Sequence, residues 1–87
     1  MKIKKISFAE REIKIIVYLE DGTKFTLRKF FNELVMVSDI PYGFNKQDRD
    51  YIALKEKIRK TEYFKRNGDS KTKHPSKEEL KEVREII

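Results

Sequence analysis

Ile13, Ile15, Val17 and Leu19 alternate with Lys14, Ile16 and Tyr18, and the run ends at Glu20-Asp21-Gly22. Side chains two apart share one face of a strand, so this period marks a half-buried β-strand. Glu20-Asp21-Gly22 suits a three-residue hairpin loop, a type I turn closed by a glycine in the left-handed region. With Leu19 opposite Thr23, Val17 faces Phe25 and Ile15 faces Leu27, so one face gathers the large side chains of both strands. A two-residue Asp-Gly loop would oppose Leu19 to Lys24 and scatter them. The longer loop is therefore expected, because a one-residue slip exchanges the two faces of a strand.

Upstream, Lys2 to Phe8 is strand-like. A turn through Ala9 to Glu12 is expected to set Phe8 opposite Ile13 and Ile6 opposite Ile15. The opposite face then carries Lys5, Ser7, Lys14, Lys24, Thr26 and Arg28 around Ile3, Ile16 and Tyr18. Residues 29 to 40 fit a short helix through Phe30, Phe31, Leu34 and Val35, although Leu34-Val35-Met36-Val37 also suits a buried strand. The helix is the expectation here. Asp39, Pro41 and Gly43 mark a loop.

Asn45 reads as an N-cap, with Asp48 near the positive end of the macrodipole. A long helix is expected from Lys46 to about Arg66, closed by Gly68, with Tyr51, Leu54, Ile58 and Phe64 as its apolar stripe. Residues 69 to 75 lack apolar side chains and read as a mobile basic linker. Ser76-Lys77-Glu78-Glu79 matches a capping box and opens a final helix with Leu80, Val83 and Ile87 on one side. The expected fold class is thus α+β: a three-stranded antiparallel β-meander packed against a long α-helix, with a short helix before it and a short C-terminal helix. The organisation is residues 1–68 as the body, 69–75 as the linker and 76–87 as the C-terminal amphipathic helix.

Composition bounds the function. At 87 residues the chain is expected to form one domain with a thin core. Its composition, 38% hydrophobic and 41% charged, still suffices for folding. There is no cysteine and a single histidine, His74. That disfavours thiolate or ordinary zinc sites, so neither a metal nor a cofactor is expected. Charged residues at positions 10 to 12 interrupt any signal-peptide core, and no apolar run is long enough to span a membrane. A cytoplasmic protein without membrane association is the expectation.

Catalysis is poorly provided for. Glu20 with Asp21 is turn chemistry, Asp48 with Asp50 belongs to a first helical turn, and Glu12-Ile13-Lys14 lacks the second carboxylate that a nuclease-like site requires. Gly22, Gly43 and Gly68 are too far apart for a phosphate loop. The chain is read as a non-enzyme.

The net charge of +6 is concentrated in residues 45 to 74, which hold ten basic and five acidic groups. Two basic surfaces follow. One is the outer sheet face with Lys14, Tyr18, Lys24 and Arg28; the other is a side of the long helix with Arg59, Lys60, Tyr63 and Arg66. Cations interleaved with aromatic rings suit phosphate contacts and base stacking, so a nucleic-acid-binding accessory protein is the first functional expectation. The alternative is a protein-binding module, a small regulator or inhibitor docking on a larger protein through Phe31, Tyr42, Phe44, Leu80 and Val83. Strands followed by a helix reading Tyr51-Ile52-Ala53-Leu54-Lys55-Glu56-Lys57-Ile58 also resemble the arm-site DNA-binding domain that opens some transposon integrases. That likeness spans about half the chain and has no diagnostic motif, and no site assignment rests on it.

Overall fold

The computed structural model describes residues 1–38, 40–66 and 75–87. Four strands, β1 (Ile3–Ala9), β2 (Lys14–Leu19), β3 (Lys24–Phe30) and β4 (Glu33–Ser38), form one antiparallel sheet in chain order. Three helices follow, α1 (Arg49–Arg59), α2 (Glu62–Arg66) and α3 (Lys77–Arg84). The α+β class therefore holds, with four strands in place of three and a divided helix in place of a long one.

The central hairpin has the expected register, with Val17 opposite Phe25 and Ile15 opposite Leu27. Leu19 N–H donates to the Thr23 carbonyl at 2.8 Å, and Gly22 N–H donates to the Leu19 carbonyl at 3.2 Å. Gly22 has φ +93°, a conformation that costs a residue without Cβ little. Asp21 fastens the loop by accepting from the Thr23 hydroxyl at 2.5 Å and the Thr23 N–H at 2.9 Å.

The first hairpin differs from expectation by two residues: Ile6 faces Val17 and Phe8 faces Ile15. Its turn runs through Glu10, Arg11 and Glu12, all at positive φ, and Ile13 N–H donates back to the Glu10 carbonyl. A shift of two preserves which side chains point inward, so Ile6 remains buried as expected. A register shift between Ile3 and Lys5 is the kind of irregularity that re-aims a strand end. It sets Ile3 opposite Leu19, where it packs against the core instead of joining the outer face.

Residues 29 to 40 correct the helix expectation. Phe30 pairs with Glu33 around Phe31 and Asn32, and Leu34, Val35 and Met36 continue the ladder with β3. The apolar residues at helical spacing are also a strand with Leu34 inward and Val35 outward.

The expected long helix breaks at Lys60 and Thr61. The Thr61 hydroxyl donates to the Ile58 carbonyl at 2.6 Å and accepts from Phe64 N–H at 3.2 Å, so it closes one helix and caps the next. The N-cap of α1 is Asp48, whose Oδ1 accepts from Asp50 N–H and Tyr51 N–H, while Asn45 holds the turn before it. The expectations for Asp39, Gly68, His74 and residues 69–74 lie outside the described residues.

All three helices cover one face of the sheet. Ile15, Val17, Leu19, Phe25, Leu27 and Leu34 are buried with Tyr51, Leu54, Ile58, Tyr63, Phe64, Leu80 and Val83 in one cluster. Helix α3 starts at Ser76, whose hydroxyl accepts from Glu79 N–H, and it packs against α2 and β1 of its own chain. Because α3 ends at Arg84, Ile86 rather than Ile87 rests on the core. Among the described residues no helix is long and apolar enough to cross a membrane.

Candidate interaction surfaces

The outer face of the sheet carries part of the expected basic surface. Lys5, Tyr18 and Lys24 form one cross-strand row, Ser7, Ile16 and Thr26 the next, and Lys14 and Arg28 lie directly opposite one another. Like charges in direct opposition are unfavourable. Glu10 relieves this pair by accepting from Lys14 Nζ at 2.7 Å. Lys5 Nζ sits 4.9 Å from the centroid of the half-buried Tyr18 ring, and Thr26 at the middle of the face is buried. Lys5, Lys24 and Arg28 remain as cations around Tyr18 and Ile16.

The helical half of the expected surface lies in the other layer. Arg59 Nη2 approaches Glu33 Oε1 at 3.7 Å, tying the end of α1 to the start of β4, and Lys60 is the exposed C-cap of α1. Tyr63 was expected to offer a ring to a base, but it is only 2% exposed and its hydroxyl donates to the Glu12 carbonyl. Burial, and secondly the charge of Glu12, pushes the Tyr63 phenol well above its ordinary range. It is a core residue. The side chain of Arg66 lies outside the described residues. Arg59 and Lys60 thus stand across the sheet from Tyr18 and Lys24.

The residues expected to meet a protein also divide. Leu80 and Val83 are buried against the body, Val83 completely, so the stripe of α3 is already occupied. Phe44 is half-buried, with its ring edge-to-face on Tyr51 at 4.8 Å. Phe31 and Tyr42 are exposed, and the structure joins them to residues that the helix reading had placed differently. Among the described residues, Phe30, Phe31, Val35, Val37, Ile40 and Tyr42 are all large, apolar and exposed, and only Ile52 and Ile87 share that description elsewhere. The six fall at the end of β3, in the turn after it, on β4 and in the following loop. Val35 and Val37 were missed because no turn signal precedes β4.

The turn itself is unusual. Phe31 is 77% exposed and has φ +56°. That left-handed conformation is strained for a bulky side chain. Its ring meets that of Phe30 edge-to-face at 4.7 Å. The two sheet edges also differ. Lys4 and Lys5 guard β1, whereas β4 carries no charged residue from Leu34 to Ser38; edge lysines of this kind discourage pairing with another chain. Beside β4 runs a groove of about 310 Å³, with Leu34, Met36, Phe44 and Tyr51 along it and Lys46 and Lys55 among its walls.

Among the described residues no cluster of three or more histidines or carboxylates could hold a metal ion. No protein-family model matches this chain, and neither a curated protein nor a solved structure matches it.

Proposed function

We propose that the protein is a small interaction module that engages another protein through the β3–β4 hairpin, strand β4 and the loop that follows. One observation carries this reading: among the described residues, six of the eight exposed large apolar side chains fall between residues 30 and 42. Scattered apolar residues are normal on a surface, but so many within one hairpin and the loop after it have to be explained by what covers them. The strain at Phe31 supports the same reading, since a bulky residue in the left-handed region is retained at a cost to folding.

Isolation of the tagged chain under native conditions tests it, alongside Phe31→Asp, Val35→Asp and Ile52→Asp. The wild type and Ile52→Asp are expected to recover the same stoichiometric partner, and the two hairpin variants are expected to lose it. Equal recovery by all four folded proteins would remove the hairpin from the interface.

A second reading, nucleic-acid binding, is supported by Lys5, Lys24 and Arg28 around Tyr18 and Ile16 on the face opposite the helices. Three phosphate contacts on duplex DNA would give a log-log salt slope of about −2.7. An anisotropy titration with duplex DNA checks it, with Lys24→Glu and Arg28→Glu each reducing the slope by about 0.9. No binding at low salt would end this reading.

A further inference from the structure

We infer that β4 receives an extended, acidic and apolar segment of a partner protein as a fifth strand of the sheet. This rests on the reading of the hairpin and β4 as a protein-binding surface, and it names how the partner binds and what its chemistry must be.

The backbone comes first. Phe30 and Glu33 flank a two-residue turn at Phe31 and Asn32, which makes them a hydrogen-bonded pair. Antiparallel ladders alternate, so the next such pair is Arg28 with Val35. The N–H and C=O groups of Leu34 and Met36 are consequently directed away from β3, toward the open edge. Both residues line the groove beside β4. A segment adding there gains main-chain hydrogen bonds from the edge and side-chain contact from the groove.

Charge selects the occupant. Lys46 and Lys55 stand at the groove, and Lys55 Nζ lies 4.8 Å from the centroid of the Tyr51 ring. The carboxylate present, Glu33, faces Arg59 at 3.7 Å. A second copy would bring another net charge of +6, with Lys4 and Lys5 on its β1 edge and its own Lys46 and Lys55 at its β4 edge. Like charges brought together disfavour that assembly. A strand whose apolar residues cover Phe44 and Tyr51 and whose carboxylates reach Lys46 and Lys55 fits the same surface without repulsion.

The probe is a fluorescein-labelled octapeptide alternating valine and glutamate, compared with its valine–lysine counterpart and with a glutamate form N-methylated at alternate residues, which cannot complete a ladder. Anisotropy with the full chain is expected to show the glutamate peptide binding at least about tenfold tighter than either control. Hydrogen exchange at the Leu34 and Met36 amides is expected to slow on binding, and Lys46→Glu with Lys55→Glu is expected to reverse the preference between the glutamate and lysine peptides. Equal binding of all three peptides, no binding up to millimolar concentration, or unchanged exchange at both amides overturns the inference. So does protection of those amides in a peptide-free dimer, which would make a second copy the occupant, or displacement of the peptide by duplex DNA. If the hairpin variants lose a native partner while the peptide results fail, strand addition falls and the broader reading stands.

Discussion

The hydroxyl of Tyr63, on α2, donates to the main-chain carbonyl of Glu12, the last of three successive residues in the left-handed region. The contact joins the helical layer to the turn between β1 and β2. Without it that turn would have to hold Glu10, Arg11 and Glu12 in a conformation each disfavours. Tyr63→Phe is expected to cost about 1 kcal/mol in urea unfolding, the ordinary net worth of one hydrogen bond. Amide exchange in residues 10 to 13 is expected to speed up in the same variant. An unchanged midpoint and unchanged exchange would show that the turn holds itself.

Stability is expected to decline at both ends of the pH range. The N-terminal ammonium and the Tyr51 N–H, both donating to Asp48, hold its carboxyl below the ordinary value of 3.8. The Thr23 hydroxyl and N–H do the same for Asp21. A depressed carboxyl stabilises the fold above its unfolded value, and that contribution is lost as pH falls below about 4. Tyr63 acts in the opposite direction: its raised phenol stays protonated in the folded chain, while the phenol of the unfolded chain ionises at about 10. The fold therefore weakens as pH rises past about 10. Urea midpoints across the acid and alkaline limbs check both signs, and Tyr63→Phe is expected to flatten the alkaline one.

Phe31 separates function from folding. Glycine at this position relieves a left-handed strain of roughly 1–2 kcal/mol but adds about 0.5–1 kcal/mol of unfolded-chain entropy. Phe31→Gly is thus expected to leave stability unchanged or raise it by up to about 1.5 kcal/mol. Its partner binding is expected to weaken at least tenfold, which native co-isolation measures. A large loss of stability would mean that the ring packs on the body.

Helix α3 belongs to the fold, with Leu80 and Val83 both buried. Leu80→Ala is expected to cost about 2–3 kcal/mol, since it removes buried methyl groups from a site with limited room to collapse. Val83→Ala removes fewer and is expected to cost about 2 kcal/mol. Any of either variant that remains folded is expected to keep its partner. Partner loss without a shift in the urea midpoint would place α3 in the interface after all.

The sequence disclosed the central hairpin because two independent signals agreed there: strict alternation from Ile13 and a glycine where the turn requires positive φ. Elsewhere one signal was missing. The turn before β4 is made by Phe31 and Asn32, with neither glycine nor proline, so Leu34 to Val37 could not be separated from a helical turn. The turn after β1 uses three non-glycine residues at positive φ, which displaced the register by two but left the inward face correct. Thr61 was legible in principle, since threonine favours caps over helix interiors, yet the apolar stripe running past it masked the break. The two basic surfaces read from the sequence lie in different layers, Lys24 and Arg28 on the outer sheet face and Arg59 and Lys60 at the end of α1, and Tyr63 left the second because a ring at helical spacing does not show which side of the helix is buried. The apolar stretch from Phe30 to Phe44 was visible as a composition, and the fourth strand turned it into a surface.

Site-specific photocrosslinking compares the β3–β4 turn with the outer sheet face around Tyr18 directly. With Phe31→p-benzoylphenylalanine in one chain and Tyr18→p-benzoylphenylalanine in another, irradiation of native extract is expected to give a discrete protein adduct at position 31 that Val35→Asp abolishes. A discrete adduct at position 18 with none at position 31 would contradict the assignment of the β3–β4 hairpin as the binding surface.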